Sequence, residues 1–206
     1  MGPGNQNPAP WSENRVRQEI LLQILRDDET TVVPYHLGVI PIETARLRLC
    51  HLTDADAPFI LELLNDPSFL RFIGDKGVRT LDDAREYIRK GPADSYERRG
   101  FGLYLTRLKD AEVSIGICGL VKRDALEDVD IGFAFLPRFR SQGYGFESAS
   151  AVLRYGHEVI GLKRIVAITN PDNESSIRLL EKLGLRFERM VQLPDNGGES
   201  KLFVPQ

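Results

Sequence analysis

Apolar positions recur along the chain with two periods, and the changes from one to the other outline its elements. Val16, Ile20, Leu21, Ile24 and Leu25 follow Ser12 at helical spacing, which predicts an amphipathic helix capped by that serine. Thr31 to Pro41, interrupted by Pro34, Gly38 and Pro41, reads as a connector. Residues 1–42 are therefore expected to form an extension and residues 43–206 the main domain. Arg46 to Leu52 alternates as a half-buried strand. Thr53 or Asp54 is placed to cap a helix through Phe59, Ile60, Leu63 and Leu64 that ends near Asp66-Pro67. Thr80-Leu81-Asp82-Asp83 opens a second helix through Tyr87 and Ile88, expected to stop near Gly91-Pro92.

Three strand-like runs follow, Phe101 to Arg107, Val113 to Val121 and Val129 to Phe135, separated by polar turns that favour an antiparallel meander. The order then changes. Gly143 to Val159 carries helical spacing at Phe146, Ala149, Val152 and Leu153, and Arg164 to Thr169 is a short β-branched strand. Asn173 to Leu183 is a helix stopped by Gly184, and Arg186 to Val191 and Lys201 to Val204 can pair around Pro194-Asp195-Asn196-Gly197-Gly198. The pattern amounts to a mixed α/β chain, antiparallel first and a βαβα unit after.

Composition narrows the classes. A chain of 206 residues, 42% hydrophobic and 28% charged, suits one globular domain with a short extension. No apolar run approaches the roughly 20 residues of a membrane span, so no membrane partner is expected. The start MGPGNQNPAP has neither the basic nor the apolar part of a signal peptide, which makes a cytoplasmic location the expectation. Cys50 and Cys118 lack metal-ligand spacing and are expected to be reduced thiols, with no metal bound. A net charge of −3 gives no reason to expect nucleic acid as a partner.

One segment carries candidate chemistry. Asp130-Ile131-Gly132-Phe133-Ala134-Phe135 is a strand, and after Pro137 it leads through Arg138, Arg140, Ser141, Gln142, Gly143, Tyr144 and Gly145 into a helix. A helix start leaves backbone N–H groups unsatisfied and carries about half a positive charge. Glycines at 143 and 145 let a phosphate approach those groups, and Arg138 and Arg140 add positive charge beside them. The spacing by itself is met equally well by an ordinary strand-to-helix turn. A P-loop is excluded because no Gly-Lys-Ser/Thr follows, and a Rossmann fingerprint because Phe146 follows the glycine pair and the next strand ends in Thr169-Asn170.

These residues resemble the GCN5-related N-acetyltransferases (GNAT), in particular the branch of ribosomal-protein N-terminal acetyltransferases. Arg140, Gly143 and Gly145 match the family's Arg/Gln-x-x-Gly-x-Gly/Ala signature, Asp130-Ile131-Gly132-Phe133 the branch's acidic-Ile-Gly-aromatic strand, and Asn173, Ser176 and Leu179 to Gly184 its later helix. The resemblance spans about Glu43 to Phe203. It implies a mixed, centrally splayed sheet flanked by helices, and transfer of acetyl from acetyl-CoA to a primary amine, on a protein N-terminus or a small molecule, by direct attack in a ternary complex. The pyrophosphate would rest on N–H groups of Gln142 to Phe146, and the pantetheine arm would pair with the strand ending at Phe135. The Phe133 N–H would polarise the thioester carbonyl, and Asn170, Asn173 and Ser176 would face the pantetheine. Capping at Asn173 and a turn at Asn170-Pro171 are the structural alternatives for the two asparagines.

An amine must be neutral to attack, so a base is needed. Asp130 is the first candidate, Glu127 and Asp128 are alternatives, and His51 is a distant one. The family's usual acid, a tyrosine four residues before the helix-ending glycine, is replaced by Leu180, which leaves Ser141 and Ser176 as hydroxyl donors. A non-catalytic acyl-CoA-binding module is the alternative function, and the N-terminal helix is expected to pack on its own domain or across a homodimer.

Overall fold

A computed structural model describes residues 41–193 and 198–206. The described residues all belong to one compact unit. The helix expected from Ser12 to Leu25 and the turn from Pro194 to Gly197 lie outside the described residues.

Among the described residues, eight strands form one sheet in the order β1-β2-β3-β4-β5-β6-β8-β7. They are β1 (Ile42–Glu43), β2 (Leu47–Cys50), β3 (Leu103–Leu108), β4 (Ser114–Val121), β5 (Val129–Phe135), β6 (Ile165–Thr169), β7 (Leu185–Gln192) and β8 (Glu199–Pro205). Strands β1 to β5 pair antiparallel in sequence order, as the meander pattern predicts. The crossover from β5 to β6 is parallel, through α5 (Tyr144–Glu158), and β8 joins β6 antiparallel before pairing with β7.

Helices cover both faces. Leu47, Leu49, Tyr104, Leu120, Ile131 and Phe135 pack with Ala149 and Val152 of α5 and Leu180 of α6 (Glu174–Lys182) in one core. On the other face, Leu105, Ile117 and Leu136 pack with Ile60, Leu63 and Leu64 of α1 (Ala57–Leu64), Phe69 of α2 (Pro67–Phe72) and Ile88 of α3 (Leu81–Ile88). The alternation of apolar residues toward two faces is what commits the sheet to two helical layers. Gly119 is the closest approach in the sheet. A Cβ there would lie 2.0 Å from the Gly102 carbonyl oxygen and 2.6 Å from Leu103 Cα, so only glycine lets β3 pass.

Two helices depart from the expected pattern. Asp66 does not simply follow a helix end. Its carboxylate accepts from the N–H groups of Ser68 and Phe69 at 3.0 and 3.4 Å and so starts α2. Nor does the chain stop near Gly91-Pro92. It continues as a π turn over Arg89–Ala93 and then α4 (Asp94–Arg99), ending at Gly100 with φ +74°. Pro92 lacks an N–H and crowds the carbonyl four residues back, and the wider turn accommodates both effects.

Candidate functional site

The sheet opens where β5 leaves β6. Only Val129↔Ile165 and Asp130↔Val166 are in register, after which Ile131 to Phe135 keep β4 on one side and an open edge on the other. The direction of the backbone groups follows from two bonds. Leu120 donates its N–H across to Gly102, away from β5, at 3.1 Å, and Leu136 donates its N–H to Ile115 of β4 at 3.1 Å. Along an antiparallel ladder such directions alternate, so Cys118↔Phe133 is a pair that exchanges no bonds. The Phe133 N–H and C=O therefore point into the opening, as does the Phe135 carbonyl.

Two cavities, of about 530 and 450 Å³, occupy this opening. Both are lined by Phe133, Ala134, Asn173 and Ser176, so they meet at the middle of the β5 edge. The smaller cavity runs to the start of α5. There Gly143 takes φ +85°, a left-handed conformation that suits glycine, and Glu147 N–H makes the first helical bond to its carbonyl at 3.0 Å. The N–H groups before Glu147 have no intrahelical acceptor. A Cβ on Gly143 would come within 3.2 Å of Arg46 Nη2. Gly145 serves packing as well, because a Cβ there would stand 3.2 Å from Leu179 Cδ2 on α6.

The larger cavity ends at Asp130, whose surface is 1% exposed. Arg123 Nε donates to its Oδ1 at 3.0 Å, and among the described residues its Oδ2 has no hydrogen-bond partner. Burial pushes the Asp130 carboxyl above the usual carboxylate range, and the neighbouring Arg123 opposes that shift without cancelling it.

A model of a known family matches residues 46–186, and its description is an acetyltransferase (GNAT) domain. The chain belongs to the GNAT acetyltransferases. It is 31% identical over 147 residues to the uncharacterized N-acetyltransferase YnaD of Bacillus subtilis, covering 71% of this chain and 83% of that protein. Among solved structures, it is similar to the ribosomal-protein-S5-alanine acetyltransferase of Vibrio fischeri with a TM-score of 0.68 and 16% identity, covering 81% of this chain and 96% of that one. It is similar to AAC(6′)-Ib in complex with paromomycin and acetyl-CoA with a TM-score of 0.64 and 20% identity, covering 78% and 93%. At these identities the structural likeness establishes the mixed, splayed fold. GNAT enzymes use acetyl-CoA, and the chain is an acyltransferase.

In this GNAT domain the expected site residues divide into those that reach the opening and those that do not. Phe133, Phe135, Arg140, Ser141, Gly143, Gly145, Phe146, Asn173 and Ser176 line the smaller cavity, and Asp130 and Asn170 line the larger. Arg138 lines neither; its guanidinium pairs with Glu62 at 2.6 Å. Arg140 lines the cavity but is engaged elsewhere, since its Nε donates to the Phe135 carbonyl at 2.8 Å and Nη2 pairs with Asp66 at 3.4 Å. Gln142 and Tyr144 form the outside of the turn. Arg46 Nη1 donates to the Gln142 carbonyl at 3.1 Å, and the Arg46 guanidinium lies 4.5 Å from the centre of the Tyr144 ring.

Both asparagines also do the structural work set against them. The Asn173 side-chain oxygen caps α6 by accepting from Ser176 N–H at 3.2 Å, and that of Asn170 accepts from Asp172 N–H at 2.9 Å. Both residues line the larger cavity, and Asn173 the smaller as well. Of the alternative bases, Glu127, Asp128 and His51 do not line either cavity. Asp128 pairs with Arg164 at 3.3 Å, and His51 stacks on Tyr96 at 3.6 Å, with burial holding its pKa at about 4. Leu180 is buried in the core and lines neither cavity.

Sequence reasoning missed three cationic residues at this GNAT site. Arg178 and Lys182 line the smaller cavity from α6, and Arg46 holds the outside of the turn. The four-residue spacing of Arg178 and Lys182 on one helix face was a signal for the first two. Nothing local to Arg46 pointed to a turn nearly a hundred residues away.

Proposed function

We propose that the chain transfers acetyl from acetyl-CoA to a primary amine, on a protein N-terminus or a small molecule, by direct attack within a ternary complex in the cytoplasm. The observation that carries the reading is Asp130, a buried carboxylate with an unpartnered oxygen in the cavity that joins the helix-start turn at Phe133 and Ser176. The chain's residues suit the co-substrate. The N–H groups from Gln142 to Phe146, with Arg178 and Lys182, would hold the diphosphate, and the Phe133 and Phe135 edge offers an extended chain of amides a strand to pair with.

When bound, acetyl-CoA supplies the acetyl group. Phe133 N–H, pointing into the opening, would polarise the acyl oxygen. Asp130 would take the amine's proton, and its raised pKa makes it a stronger base than an exposed aspartate. Ser176 Oγ would donate to the departing sulfur from its place where the cavities meet. Direct attack is supported by the cysteines. Neither lines the cavities, and burial holds the Cys118 thiol at about 12.

The test is Asp130→Asn, assayed by release of free thiol from acetyl-CoA with a panel of amines and peptides. Turnover should fall by about 10² to 10⁴ with acetyl-CoA affinity nearly unchanged. The wild-type rate should rise with pH as Asp130 ionises, and the variant should lose that limb. The folded state holds the Asp130 proton more tightly than the unfolded chain, so ionisation costs stability as pH rises. Asp130→Asn should therefore not lower Tm at neutral pH, Arg123 being 25% exposed and within reach of water. Full activity with an unchanged pH profile would remove Asp130 from the mechanism, and binding of acetyl-CoA without turnover of any amine would favour a non-catalytic binding module.

A further inference from the structure

Five cationic side chains, Lys76, Lys90, Arg99, Lys122 and Arg123, line the larger cavity, against two carboxylates, Asp94 and Asp130. Five of these seven are engaged with named groups. Arg123 pairs with Asp130 at 3.0 Å, Lys90 pairs with Glu86, and Asp94 pairs with Arg98 at 3.4 Å. Lys122 Nζ donates to the carbonyls of Arg123 and Glu127 at 3.3 and 2.9 Å and to that of Leu126. Arg99 differs. It is partly buried, and among the described residues it has no hydrogen-bond or ion-pair partner.

Its position is fixed rather than incidental. Gly100, at φ +74°, ends α4 by donating its N–H to Tyr96 at 3.0 Å, and Ser95 Oγ donates to the Phe101 carbonyl at 2.7 Å, which clamps the turn around Arg99. Partial desolvation of a guanidinium without a partner is unfavourable, and a planar fork of five donors suits a carboxylate. The same cavity holds the opposite feature in Asp130 Oδ2, a buried acceptor without a donor. A ligand that satisfies both ends carries an amine and an anion.

We infer that the acceptor is a primary amine bearing its own carboxylate, with the amine directed to Asp130 and the carboxylate held by Arg99. The shared chemistry is that of an α-amino acid or of a peptide N-terminus followed by an acidic side chain, and it disfavours polyamines. This rests on the acetyl-transfer reading above and deepens it by naming the acceptor class. Arg99 acts here on specificity by binding the acceptor, not on the acyl group.

The experiment compares kcat/KM at saturating acetyl-CoA for alanine against alaninamide, and for a peptide beginning Ala-Asp against one beginning Ala-Asn. The less basic amine of alaninamide would by itself favour the amide, so a preference for the acid does not follow from amine basicity. The acid should be preferred at least tenfold in one of the pairs, and which pair it is distinguishes a free amino acid from a peptide. Arg99→Gln should collapse that preference through a raised KM, Arg99→Lys should retain part of it, and Arg85→Gln, a surface arginine that lines neither cavity and pairs with Asp82, should retain all of it. Acetylation of amides as readily as acids, or a preference that survives Arg99→Gln, would overturn the inference and leave acetyl transfer standing. Binding of acetyl-CoA with no amine acetylated would overturn the transfer reading, and this inference with it.

Discussion

Replacing Gly143 separates the two things the turn before α5 does. The residue has φ +85°, where a side chain costs about 1–2 kcal/mol of backbone strain. Its new Cβ would meet Arg46 Nη2 at 3.2 Å, the end of a flexible side chain that is 48% exposed, so the steric part is small. Gly143→Ala and Gly143→Asp share that strain and differ in charge. An aspartate there is also a good helix cap and tolerates the left-handed region better than alanine, so thermal stability should rank Gly above Asp above Ala. Acetyl-CoA affinity should rank differently. A carboxylate that came within about 4 Å of a bound phosphate would oppose it by roughly 4 kcal/mol per charge pair at an effective dielectric of 20, reduced by salt and by pairing with Arg46. Even a third of that is a factor of ten in Kd. Calorimetry at low and high salt should show tenfold or greater weakening in Gly143→Asp, partly relieved by salt, and a smaller, salt-insensitive loss in Gly143→Ala. If Gly143→Asp folds and binds acetyl-CoA as tightly as Gly143→Ala, the turn does not hold the diphosphate.

Two further outcomes test the frame around the site. Gly119→Ala places a Cβ against the backbone of Gly102 and Leu103, and overpacking against backbone should cost about 1–3 kcal/mol, seen as a Tm several degrees lower; an unchanged Tm would mean β3 and β4 are not packed as described. His51 has its pKa lowered to about 4 by burial, so the folded state binds its proton more weakly than the unfolded chain. Stability should be complete above about pH 6.5 and fall as pH drops toward 4, by less than about 3 kcal/mol because His51 is only partly buried. Denaturant unfolding of His51→Gln should show a shallower acid limb, and an identical limb would assign the loss to other groups.

The sequence by itself determined the elements whose signals are local. Alternation set β2 to β6, the Arg140-x-x-Gly143-x-Gly145 turn marked the start of α5, and Thr80 and Asn173 announced their helices as caps. These follow from periodicity and from the backbone groups a helix end leaves open, which a short window contains. The tertiary structure decided what depends on distant partners. Asp130 is a candidate base in the sequence, but its burial and its single ion-pair partner appear only when Val166 of β6 comes alongside and Arg123 reaches its Oδ1. Arg138 and Arg140 read as charge for a phosphate until Glu62 and Asp66 arrive from α1 and the cap of α2. Pro92 reads as a stop, yet the wide turn through it carries the chain on to α4 and sets Arg99 in the cavity. A local pattern records which face a residue takes. Whether a charge on that face is buried, paired or left for a ligand is set by chain segments tens of residues away, and only folding brings them together.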